Sequence, residues 1–124
     1  MKTFEELKQQ INSEFIKKLC EIAEGFKYSD SEHGTDIIFF NNKFVATWES
    51  ISSTFLFTIL LYRAVEGWNR TNQCHSAIDI SWNYVVCNFD SEDIQLSYDI
   101  ENYRICHLTQ LEMAILDCLI KILK

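Results

Sequence analysis

The sequence contains no proline and only three glycines. Gly25, Gly34 and Gly67 stand alone, so there is no glycine-rich loop to cradle phosphate and no dinucleotide-binding fingerprint. The G-x-S-x-G turn that presents a nucleophilic serine is also missing. Without proline or clustered glycine, no linker, repeat or low-complexity segment divides the chain. Residues 1–124 are therefore expected to form one domain. Positive charge is scarce too: 11 Lys and Arg against 18 Asp and Glu leave a net charge of −7. That balance repels phosphate, which disfavours nucleic acid and anionic membranes as partners and favours a basic protein.

Long hydrophobic runs are lacking as well. The charge-free stretch from Ser50 to Tyr62 is far shorter than the ~20 residues of a spanning helix. Met1-Lys2-Thr3-Phe4-Glu5-Glu6 places acids where a secretion signal needs its apolar core. The expectation is a cytoplasmic protein. Five cysteines, Cys20, Cys74, Cys87, Cys106 and Cys118, make an odd, irregularly spaced set that reads as thiols and not as a disulfide framework.

Two Cys-His dipeptides, Cys74-His75 and Cys106-His107, are the one repeated chemical pattern. Adjacent residues on a strand point to opposite faces, and the C-x₂₋₄-C spacing of structural zinc sites is absent. No metal or other cofactor is expected. A cysteine nucleophile with His33, His75 or His107 as base is conceivable chemistry, but nothing in the sequence marks a thiol as activated. The chain is read as a binding protein and not as an enzyme.

What is present is amphipathic patterning. Phe4, Leu7, Ile11, Phe15, Leu19, Ile22 and Phe26 form one helical stripe. Thr3 and Glu6 can cap its start, and Gly25 can end it. Residues 27–35 are polar and read as a loop. Asn41-Asn42 suits a two-residue hairpin turn, pairing Phe39 with Phe44 and Ile37 with Ala46 on one face. Residues 54–66 fit either a buried strand or a buried helix. Strand register decides in favour of a strand, because it sets Trp48 against Phe55, Ala46 against Phe57 and Phe44 against Ile59, with a helical turn near Arg63 to Gly67.

Ile78, Ile80, Trp82, Tyr84 and Val86 alternate with polar residues, as do Ile94, Leu96, Tyr98 and Ile100. The loop Asp90-Ser91-Glu92 would join these two strands. A turn at Glu101-Asn102 would then set Arg104 opposite Asp99 and Ile105 opposite Tyr98. Thr109 and Glu112 form a second capping box, with Leu108 and Met113 as its hydrophobic staple. The final helix follows through Leu111, Ala114, Ile115, Cys118, Leu119 and Ile122, with Lys121 and Lys124 complementing its dipole. The predicted fold is α+β: an antiparallel sheet of about five to six strands flanked by an N-terminal and a C-terminal amphipathic helix.

The candidate binding residues are carboxylates. Asp90, Glu92 and Asp93 crowd one hairpin loop, Asp99 and Glu101 lie at the far end of the next strand, and Asp79 faces outward on its neighbour. Trp68 or Tyr103 would supply an aromatic anchor, whereas the parity of Trp48 and Trp82 points them inward. The bland alternative is a solvated turn and a polar sheet face. The leading expectation is an inhibitor of the immunity-protein type that neutralises a basic toxin or nuclease-like partner. One alternative is a secretion-chaperone-like homodimer using the face of Leu111, Ile115, Leu119 and Ile122. Another is a phage-type anti-defence protein that sequesters a small signalling ligand with Arg63, Arg70 and Arg104.

Overall fold

The structure is a computed structural model that describes residues 1–30, 36–71, 77–89 and 94–124. The first helical stripe is broken into two helices, α1 (Phe4–Lys8) and α2 (Ser13–Ile22). Asn12 causes the break: it takes an extended conformation and its side chain accepts a hydrogen bond from the Phe15 amide at 2.9 Å. A short amide side chain that caps a new helix competes with continuation of the old one. Thr3 caps α1 through the Glu6 amide. The apolar stripe survives the break, with Phe4, Leu7, Phe15 and Leu19 all buried.

Gly25, at a φ of +88°, turns the chain directly into β1 (Phe26–Ser29), inside a segment expected to be loop. β2 (Ile37–Phe40) and β3 (Lys43–Thr47) complete an antiparallel meander in the order β1-β2-β3. Asn41 and Asn42 have positive φ angles, the geometry of the expected two-residue turn. Phe39 pairs with Phe44, but Ile38 pairs with Ala46 and Ile37 with Thr47. Val45 is the extra residue of a β-bulge. A bulge resets the alternation of faces, so Ile38 and Ala46 enter the core while Phe44 is 60% exposed.

Residues expected to extend this sheet form a helix instead. After a 3₁₀ turn at Ile51–Ser53, α3 spans Leu56–Thr71. Its buried positions, Phe57, Leu60, Leu61, Ala64 and Val65, recur at helical spacing, whereas the strand register demanded an inward Phe55 that is in fact 80% exposed. One turn further on, Gly67 meets α2. A Cβ there would lie 1.7 Å from the Ile22 carbonyl oxygen, so only glycine permits the two helices to cross this closely.

A second antiparallel sheet, in the order β4-β5-β6, contains β4 (Ile78–Ile80), β5 (Tyr84–Phe89) and β6 (Ile94–Asp99). The predicted continuous strand from Ile78 to Val86 is therefore a hairpin, closed by the Ser81 amide donating to the Tyr84 carbonyl at 2.8 Å. Val85 pairs with Tyr98, and Cys87 with both Ile78 and Leu96. These residues make the inner face, which α4 (Gln110–Ile122) covers. The capping box of Thr109 and Glu112 is present in both directions. The described residues thus form a mixed α+β fold with four α-helices and two three-stranded antiparallel sheets, in place of one larger sheet. No helix among them is long and apolar enough to cross a membrane.

The expected turn at Glu101-Asn102 and its returning strand are also replaced. A 3₁₀ turn (Ile100–Asn102) leads to Tyr103, which forms a parallel bridge with Lys2. The Arg104 amide donates to the Lys2 carbonyl at 2.9 Å, so Arg104 lies beside Lys2 and not opposite Asp99. Beneath this bridge is Asp117, a buried carboxylate of α4. It accepts hydrogen bonds from Lys2 Nζ at 2.8 Å and from the Tyr103 hydroxyl at 2.7 Å. Burial first, and the bond to Asp117 second, hold the Tyr103 phenol well above its ordinary pKa.

Gly67→Ala is expected to lower stability by about 3 kcal/mol in urea unfolding, because a clash with backbone cannot be relieved by a rotamer change. Tyr103 stays protonated in the folded protein at pH values where it ionises in the unfolded chain. Its contribution is therefore complete below pH ~10 and declines above it by about 1.4 kcal/mol per pH unit. Tyr103→Phe should be about 2 kcal/mol less stable near neutrality, from the lost bond to a charged group, yet show a shallower alkaline decline in the same unfolding assay.

Candidate docking surface

Strand parity and the placement of α4 divide the second sheet. Ile78, Val85 and Cys87 are buried beneath the helix, which leaves the opposite face to solvent. The register places Asp79 beside Val86 and Ser97, and Tyr84 beside Asp99. Asp79, Tyr84, Gln95, Ser97 and Asp99 are all exposed on that face. Glu101 continues the exposed edge within the 3₁₀ turn that follows β6.

At the tip of the β4–β5 hairpin stands Trp82, which is 84% exposed. The turn is tight, and Ser81 Oγ lies 3.3 Å from Asn83 Oδ1 across it. This turn swaps the faces: residues counted inward before it are not inward after it. Ile80 and Tyr84, at the two ends of the turn, are also exposed. An apolar, aromatic tip thus adjoins a polar sheet face carrying carboxylates. Large exposed aromatics are the side chains that dominate binding energy when a partner desolvates them.

The acidic character is not neutralised locally. The ion pairs of the described residues join Lys2 to Asp117, Lys17 to Asp30 and Arg70 to Glu24. None of them involves Asp79, Asp99 or Glu101, so among the described residues these three exposed carboxylates form no ion pair. Asp90, Glu92 and Asp93, singled out from the sequence, lie outside the described residues.

Both expected aromatic anchors are placed differently. Tyr103 is 2% exposed, with its ring in the core, and Trp68 is half-buried against the same core. Sequence parity missed Trp82 because it carried the alternation of one strand straight through a turn. The signal available was the polar pair Ser81 and Asn83 bracketing a lone tryptophan.

The remaining sequence candidates separate. Cys106 Sγ accepts a hydrogen bond from the Leu108 amide at 3.3 Å. His107 instead reaches the Ser52 carbonyl at 2.8 Å and packs edge-on against Phe4. Cys106 and His107 therefore address different neighbours, while His33 and the Cys74-His75 pair lie outside the described residues. Among those described, no three His, Cys, Asp or Glu side chains gather as metal ligands. Burial pushes the Cys20 thiol up to about 12. Cys118 is raised further, by its hydrogen bond to Cys87 and then by burial. These raised thiols are poor nucleophiles.

Arg63 stacks over Phe40 and donates to the Glu24 carbonyl at 3.1 Å, and Arg70 pairs with the Glu24 carboxylate. Two of the three arginines proposed as ligand clamps are thus engaged within the fold. The helix face proposed for a homodimer is engaged too: Ile115, Leu119 and Ile122 are buried and Leu111 is half-buried. No protein-family model, no curated protein and no solved structure matches the chain.

Of the four described cysteines, only Cys106 is exposed. With a thiol reagent on the native protein, peptide mass spectrometry should find Cys106 labelled first. Cys20, Cys87 and Cys118 should react only as the protein unfolds.

Proposed function

We propose that the chain is a binding protein that captures a basic protein partner on the outer face of its second sheet, as an inhibitor of the immunity type does. The observation that supports this most directly is the exposed Trp82 at the hairpin tip, with Ile80 and Tyr84 at the two ends of the turn, adjoining the exposed carboxylates Asp79, Asp99 and Glu101. The two parts act on different terms of binding. Exposed carboxylates on a chain of net charge −7 accelerate encounter with a cationic surface and reject acidic ones. The aromatic tip then supplies the desolvated contact that slows dissociation. A guanidinium of the partner can satisfy both at once, stacking on the indole while its N–H groups meet a carboxylate.

The test is capture of a partner from native cell lysate with the wild-type chain and two variants. Trp82→Ala should weaken the complex by about 2 kcal/mol or more, mainly through faster dissociation. Asp79→Lys with Asp99→Lys should slow association and flatten its dependence on salt. A basic protein whose activity is inhibited by the wild type, and less so by both variants, would support the reading. A partner bound equally by all three proteins would move the site elsewhere and overturn it.

A further inference from the structure

A cavity of about 320 Å³ lies apart from the second sheet and is lined by Lys8, Ile11, Trp48, Glu49 and Ser52. Its volume is that of a small-molecule site. Lys8 ends α1 and Ile11 lies in the link to α2, while Trp48 and Glu49 follow β3. Ser52 sits in the intervening 3₁₀ turn, fixed from behind by His107 on its carbonyl.

Three observations converge on this cavity. Ser52 is 2% exposed, yet its hydroxyl makes no hydrogen bond among the described residues. No polar side-chain atom of the described residues is both sealed from solvent and unpaired. The hydroxyl therefore keeps a small exposure, and because Ser52 lines the cavity a ligand there can hydrogen-bond it in place of water. Lys8 and Glu49 carry opposite charges and both line the cavity, but they pair neither with each other nor with any other described residue. Finally, Trp48 and Ile11 present half-buried apolar surface between them.

We propose that this cavity binds a zwitterionic small molecule with an apolar body, the chemistry of a free hydrophobic α-amino acid. Lys8 takes the carboxylate, Glu49 takes the ammonium, Ser52 hydrogen-bonds one of these groups, and Trp48 with Ile11 covers the side chain. A ligand with one charge would satisfy one rim residue and desolvate the other beside it. Because Lys8 and Glu49 are exposed, each charge adds modestly, and burial of the side chain adds the rest. This site uses no residue of the proposed protein-docking face, so the two stand or fall separately.

The probe is L-leucine, titrated into the isotope-labelled full chain and followed by two-dimensional amide and indole NMR. The two comparison probes are 4-methylpentanoate, which lacks the amine, and isoamylamine, which lacks the carboxylate. Saturable shifts are expected at Ile11, Trp48 and Ser52, with each comparison probe about two- to five-fold weaker than leucine. Glu49→Gln should weaken leucine by a similar factor and leave 4-methylpentanoate unchanged. Ser52→Ala should weaken leucine by about five-fold while the rest of the spectrum shows an intact fold. No saturable shift with leucine up to about 20 mM, or equal binding of all three probes, would overturn the proposal.

Discussion

A single carboxylate in the middle of the molecule sets much of its layout. α4 is buried along nearly its whole length, and Asp117 is the one carboxylate within that buried set. An unpaired charge there would cost several kcal/mol, and removing one partner of such a pair typically costs about 3–5. Lys2 and Tyr103 both meet this demand, although Lys2 is half-exposed and contributes less for that reason. The two residues come from distant parts of the chain and are joined by the bridge above Asp117. The end of β6 is thereby held against α4, and the outward face of the second sheet, with Asp99 and Glu101, is held with it.

The other half of the core depends on distance and not on charge. Gly67 lets α3 approach the last turn of α2 until backbone meets side-chain-free backbone. Helices that cross this closely fix the direction of the chain leaving α2, which Gly25 then turns into β1. The first sheet and the 3₁₀ turn at Ile51–Ser53 consequently have little freedom in where they sit. This is why the cavity beside Trp48 is walled by two stretches of chain distant in sequence and not by one loop.

Local rules were readable wherever a few neighbouring residues determine the outcome. The caps at Thr3 and Thr109, the Asn41-Asn42 turn and the last helix all follow from such rules. Two failures share another origin. Phe55 to Leu61 is short enough to satisfy a strand and a helix alike, and cross-strand register with Trp48 favoured the strand. The helical stripe of Phe57, Leu60, Leu61, Ala64 and Val65 was equally visible, and Gly67 within it signalled a close crossing. The bulge at Val45 and the turn at Trp82 each insert or remove one position from an alternation, and a single position reverses every face beyond it. The exposure of Asp79, Asp99 and Glu101 was legible in the sequence, because charged side chains keep to water. Trp82 was not, because parity placed it in the core, while Tyr103, read as a surface anchor, is buried.

The bulge also bears on solubility. β3 is an outer strand of its sheet, and such strands recruit other chains when they are flat and apolar. Phe44 and Val45 would make this one attractive. The extra residue twists the strand out of regular hydrogen-bond spacing just there, and Lys43 adds a charge that any incoming strand would have to bury. Phe44 can therefore lie open to water without turning the strand beside it into a seed for fibrillar growth.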